Sequence, residues 1–233
     1  MLEVQNITFS WGRTRLLEDV SFSVAPGETA VLVGANGAGK TTLLKIMAGL
    51  CWPSAGTVLA DGADTFAHPL RFRRVMGYLP ETAAADPDLT VKDYLRYRAN
   101  LRGEMKKKIR HRVAEAIELC DLEAVAETYI GTLSFGLRKR VALADALLLR
   151  PRFLLLDDLL AGLDPLTRVS FGRILAAVSS FAAVVVSGHE IDELGSWATK
   201  FYVLKSGHVL GAKTAAGAKM LLGLAPRVEG NGK

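Results

Sequence analysis

The chain has 233 residues, half of them hydrophobic and 23% charged, which excludes a disordered polypeptide and leaves enough length to bury a sizeable core. A net charge of +5 suits an anionic partner without identifying one. No apolar run reaches the roughly 18 to 20 residues that span a bilayer, MLEVQNITFS lacks the basic-then-apolar order of a signal peptide, and Cys51 and Cys120 have no metal spacing; both cysteines are read as reduced packing residues in a cytosolic compartment.

In chain order, Leu2 to Phe9 alternates like a half-buried strand, and Glu28 to Val33 is a short apolar strand. GANGAGKTT, Gly34 to Thr42, follows that strand and opens a helix predicted from Gly39 through Leu50, and it fits G-x-x-x-x-G-K-[ST] in full. Gly34, Gly37 and Gly39 let the backbone curl so that N–H groups of the loop point at phosphate oxygens; Asn36, Ala38 and Thr42 count among the nucleotide contacts. The helix N-terminus adds partial positive charge, Lys40 reaches β- and γ-phosphates, and the Thr41 hydroxyl can ligate magnesium (Mg2+).

Met76 to Leu79 reads as a further strand ending at Pro80. From about Thr90 the spacing turns helical and charged, and residues 90–149 form a helical block inserted into an α/β pattern. Its basic run MKKKIRHR, Met105 to Arg112, has no interleaved aromatics, so it reads as a solvated helix face and no nucleic-acid partner is expected. Strand Phe153 to Leu156, helix Pro165 to Val178, strand Ala182 to Ser187 and a hairpin near Phe201 to Leu210 follow; the Ala- and Gly-rich remainder is too short for another domain. Alternating strands and helices predict an α/β domain over 1–233 with a mainly parallel sheet, its core formed by 1–89 and 150–212.

FLLLDDLLAGLDPLT, from Phe153, ends an apolar strand in two carboxylates. Asp157 is expected beside the phosphate loop, where a strand-end aspartate holds magnesium directly or through water. Asp158, directly after it, sits where many phosphate-handling enzymes keep a longer acid.

With these motifs placed, the chain closely resembles the ATP-binding subunit of ABC transporters over nearly its full length. The resemblance implies a P-loop NTPase fold with an antiparallel β subdomain and a helical subdomain, with ATP and magnesium as cofactors. It implies that Trp11, in SWGR, stacks on the adenine. LSFGLRKRV, from Leu133, keeps Ser134 and Gly136 of the usual L-S-G-G-Q but has Phe135 and Leu137 in place of glycine and glutamine. Ser134 and the helix start behind it are then expected at the γ-phosphate of ATP held by a second ATP-binding subunit. AGLDP puts Asp164 at that interface, and SGHEIDEL makes His189 the switch histidine that senses the γ-phosphate. GYLPE puts Glu81 where the family keeps a glutamine near the metal or attacking water.

The family usually reads L-L-D-E-P-T where this chain reads LLDDLLAGLDP. Asp158 thus takes the place of the general base but loses one methylene, about 1 Å of reach, a displacement that can cost roughly a hundredfold in rate. Leu159 stands for a proline and Leu160 for a threonine, so the backbone beyond Asp158 either restores that reach or loses it. Two functions are expected to compete. In one, slow MgATP hydrolysis in a head-to-tail dimer drives a separate integral membrane permease, in the manner of exporters, from the cytoplasmic face of the membrane. In the other, a nucleotide-gated subunit with negligible turnover pairs with a competent homologue.

Overall fold

A computed structural model of the protein describes residues 1–82 and 85–224. Strand β1 (Leu2–Trp11) pairs antiparallel with β2 (Thr14–Val24), and β3 (Thr29–Gly34) leads into helix α1 (Lys40–Met47). β4 (Ala55–Ala60), β5 (Ala63–Asp64), the short α2 (Pro69–Arg73) and β6 (Met76–Leu79) follow. Next comes a helical block of α3 (Val91–Leu101), α4 (Lys106–Leu119) and α5 (Phe135–Leu147), with 3-10 turns at Glu123–Val125 and Ile130–Thr132. The chain then runs through β7 (Phe153–Leu156), α6 (Pro165–Ser179), β8 (Ala183–Gly188), α7 (Ile191–Gly195), β9 (Lys200–Lys205), β10 (His208–Ala212) and α8 (Ala215–Leu222).

Two sheets result. One is antiparallel, in the order β2-β1-β4-β5; the other has the order β10-β9-β3-β8-β7-β6 and is parallel except for its β10 edge. Side chains alternate across the larger sheet. Val31, Val33, Leu154, Leu156, Val184 and Val186 enter a core shared with the helical block and α6. Ala30, Leu32, Phe153, Leu155, Ala183 and Val185 enter a second core shared with α1 and the antiparallel sheet. Burial on both faces is why β3, β7 and β8 read as unbroken apolar runs. This is an α/β fold with a mainly parallel sheet, as the sequence predicts.

Several boundaries differ. The helix expected from Gly39 to Leu50 is confined to Lys40–Met47, because Gly39 sits at φ +105, outside helical geometry, and Gly49 at φ +67 ends the helix. The first strand runs on to Trp11, since β2 pairs with it to its end. Within the helical block, Thr90 caps α3 by accepting the Asp93 N–H, and Ser134 caps α5 by accepting that of Leu137. Among the described residues, no helix is long and apolar enough to cross a membrane.

Candidate nucleotide site

The loop between β3 and α1 is shaped by close packing. A Cβ at Gly34 would lie 2.6 Å from the Leu204 carbonyl on β9, and one at Gly39 would press on Leu16 and Leu17 at 3.1 Å. The curled backbone brings Lys40 over its own loop, where Nζ donates to the carbonyls of Gly34 (2.8 Å) and Ala35 (3.1 Å). Burial lowers the Lys40 pKa, opposed by the charges of Asp158, Asp157 and Glu81.

Asp157 lies beside the phosphate loop, as expected, although its strand is not the immediate neighbour of β3. β8 lies between them. Ser187, at the end of β8 and fully buried, fills the gap: its hydroxyl donates to Asp157 Oδ1 (2.7 Å) and accepts the Asp158 N–H (2.9 Å). The Thr41 hydroxyl donates to the same Asp157 oxygen at 3.2 Å. Asp157 is 1% exposed, and its Oδ2 is buried without a hydrogen-bond partner, as is the hydroxyl of Tyr78. Burial and the Asp157 charge push the Tyr78 pKa up. A buried carboxylate oxygen with no donor is costly to maintain. Two hard oxygen donors, Thr41 and Asp157, beside a helix start therefore fit a magnesium ion.

Asp158 takes a left-handed backbone at φ +46, and Leu159 and Leu160 turn into the core with no exposed surface. The path is therefore not the one a proline would impose. Asp158 Oδ1 lies 3.6 Å from His189 Nδ1, and His189 Nε2 lies 3.6 Å from Glu190 Oε1. Lys139 on α5, 6% exposed, donates from Nζ to the carbonyls of Asp158 (2.9 Å) and Ala161 (3.1 Å).

A cavity of about 540 Å3 gathers Asn36, Gly37, Gly39, Lys40, Thr41, Thr42, Glu81, Asp157, Asp158 and His189, together with Leu16 and Ser187. Gly34 and Ala38 belong to the same loop without lining the cavity, and Trp11 stands 78% exposed at the end of β1 beside Phe9. Ser134, Gly136 and Asp164 lie off the cavity and near one another. Asp164 caps α6 by accepting the Thr167 N–H at 3.0 Å, and a Cβ at Gly136 would meet Thr167 at 3.2 Å. Sequence reasoning missed Ser187, Lys139 and Glu190. A serine closing a valine run two residues before His189 is a weak signal for the first; a lysine in a basic helix start is none for the second. A larger groove of about 950 Å3 lies between α3 and α4, but it lacks a phosphate loop and a strand-end acid.

A glycine-rich strand-to-helix loop carrying a lysine, on a parallel sheet beside a strand-end aspartate, defines a P-loop nucleoside triphosphatase. Residues 17–161 match the ABC transporter family. The chain is 32% identical over 209 residues to the uncharacterized ABC transporter ATP-binding protein YxlF of Bacillus subtilis, covering 90% of this chain and 69% of the relative. It is 33% identical over 213 residues to the lipopolysaccharide export system ATP-binding protein LptB of Escherichia coli, covering 90% and 88%. The dimeric bacterial ABC transporter cassette MJ0796 superposes with a TM-score of 0.82 at 27% identity, over 91% of this chain and 98% of that one. The chain belongs to the ABC transporter ATP-binding family, whose domains are ATPases that couple ATP hydrolysis to transport.

Proposed function

We propose that this chain drives a separate membrane permease by closing head to tail with a second ATP-binding subunit and slowly hydrolysing MgATP, in the direction of export. The observation that carries the reading is one cavity that gathers Lys40, Thr41, Asp157, Asp158 and His189, with Asp157 Oδ2 buried and unpartnered. Thr41 and Asp157 would hold magnesium, with Glu81 on the same cavity, and the bound cation supplies positive charge to the β- and γ-phosphates. Lys40 and the N–H groups of residues 36–41 hold the phosphates. Asp158 orients the attacking water and takes its proton as the new P–O bond forms and the bond to the ADP oxygen breaks. His189, whose Nδ1 lies 3.6 Å from Asp158 Oδ1, is assigned to sensing the γ-phosphate.

Trp11 is assigned to the adenine. Ser134, Gly136 and Asp164, off the cavity, are assigned to the surface that faces the second subunit. The permease is assigned to a groove of about 550 Å3 near Glu81, where Leu50, Tyr78 and Pro80 face Tyr94 and Arg98 of the helical block. Such docking puts the chain at the cytoplasmic face of the membrane. Export rests on the likeness to LptB, whose name assigns it to lipopolysaccharide export.

Steady-state ATPase activity of wild type, Lys40→Ala, Asp158→Asn and Asp158→Glu tests the reading. Expected is measurable wild-type turnover, loss of it in Lys40→Ala and Asp158→Asn, and a gain in Asp158→Glu if the short acid limits the rate. A wild type that cannot be told from Lys40→Ala, even with its permease present, sinks hydrolysis and leaves the subunit that only binds.

A further inference from the structure

A short acid catalyses only if its backbone is held, and no proline follows Asp158 to hold it. The loop is gripped from α5 instead. Lys139 is almost fully buried, and its hydrogen bonds among the described residues go to carbonyls rather than to a carboxylate. Its ammonium is satisfied by two carbonyls, those of Asp158 and Ala161, which close the turn that starts at Asp158. A buried cation without a carboxylate partner is normally costly, so what it grips is a clue to its use. One turn earlier on the same helix face stands Phe135, its ring over Gly162: a Cβ there would lie 3.0 Å from Phe135 Cε1. The Lys139 ammonium lies 5.8 Å from that ring's centroid. Lysine and phenylalanine together cover the loop from Asp158 to Gly162.

The geometry points to Lys139 as a positioning residue for hydrolysis, which with Phe135 fixes the direction of the Asp158 carboxylate. The inference rests on the reading of Asp158 as the group that orients water. A purely structural staple would serve equally with any buried side chain that keeps α5 against the loop. A positioning residue requires the charged donor at the Asp158 carbonyl.

The test is ATP hydrolysis by the full-length chain with magnesium, as single turnovers with excess protein if steady-state turnover is slow. Lys139→Met keeps the stem and removes the ammonium. The expected result is a fall in the hydrolysis rate of about 10- to 100-fold, with ATP affinity within about threefold of wild type, and recovery of most of the rate in Lys139→Arg. In Asp158→Asn, Lys139→Met should add little, because both changes remove the same oriented acid. A Lys139→Met rate within about twofold of wild type overturns the inference, as does an equal loss of rate and affinity or a full additional loss in the Asp158→Asn background. If Lys139→Met does not fold, Lys139→Gln, which retains an amide donor, is read by the same criteria. Failure of the underlying reading looks different: Asp158→Asn alone then hydrolyses ATP at the wild-type rate.

Discussion

Replacing Ser187 with alanine removes one hydroxyl that serves both acids. That hydroxyl has no exposed surface, donates to Asp157 Oδ1 at 2.7 Å and accepts the Asp158 N–H at 2.9 Å. Without it the half-buried Asp158 N–H loses its partner, a cost of up to about 1–3 kcal/mol, and Asp157 loses a bond to its carboxylate worth about 1.5–3 kcal/mol. Thr41 still donates to Asp157 at 3.2 Å and recovers part of the second term. A net loss of about 2–4 kcal/mol follows. For a chain of this length that is a fall in Tm of roughly 5–15 °C. Both acids also lose their shared anchor, and a shift approaching 1 Å lowers kcat by up to about a hundredfold. Calorimetric melts and ATPase rates of Ser187→Ala and Ser187→Thr make the test. Threonine keeps the hydroxyl and adds a methyl in a tight place, so it should melt early but hydrolyse better than alanine. An alanine variant that melts within about 2 °C of wild type and hydrolyses within about twofold refutes the bridge.

Three further outcomes are expected. Leu159→Pro should lower the ATPase rate at least about tenfold and lower the urea midpoint, because a residue before proline is pushed to extended backbone and Asp158 sits at φ +46; increased activity would mean that the acid works better on the proline path. Gly77→Ala places a Cβ 2.5 Å from the Ala146 carbonyl, prising α5 from β6 at a cost of about 1–3 kcal/mol, read from urea unfolding. At Asp64, burial raises the pKa, but the Thr57 hydroxyl and the amides of Phe66 and Ala67 outweigh it and hold the carboxyl below its usual value of 3.8. A depressed folded-state pKa gives stability that is present above the unfolded value and lost as pH falls through the folded one, so the urea midpoint deficit of Asp64→Asn should be largest near neutrality and shrink below about pH 4; an equal deficit at both pH values contradicts it.

What the sequence discloses depends on how local the cause is. β7 is read to the residue, because Phe153–Leu156 is buried on both faces and flanked by turn residues. The loop at Gly34 to Thr42 is legible for a similar reason, since its glycines, lysine and threonine act within one turn. β2 escapes notice because Glu18, Asp19 and alternating serines interrupt its apolar set, and only pairing with β1 makes it a strand. The place of β8 between β3 and β7 is a matter of sheet order, which no single segment encodes, and Ser187 becomes visible only once that order is known. Lys139 is hidden by its own context: RKR suggests a solvated surface, whereas the helix turns the middle cation inward.

Four of the departures from the family pattern, Phe135, Asp158, Leu159 and Leu160, meet at one loop. Leu159 and Leu160 are fully buried under the loop, Phe135 covers Gly162 at its far end, and Asp158 begins it in the left-handed region. That backbone region is tolerated by aspartate better than by most side chains and is disfavoured by a proline at the next position. The short acid, the missing proline and the leucine anchors are therefore one structural solution: once the turn is left-handed, proline fits poorly, apolar side chains take over the anchoring, and α5 supplies the grip from above. A single reversion toward the usual pattern meets a backbone built for the other path, and the combined change Asp158→Glu with Leu159→Pro should differ from the sum of its parts by more than the roughly 0.5 kcal/mol that separates independent sites.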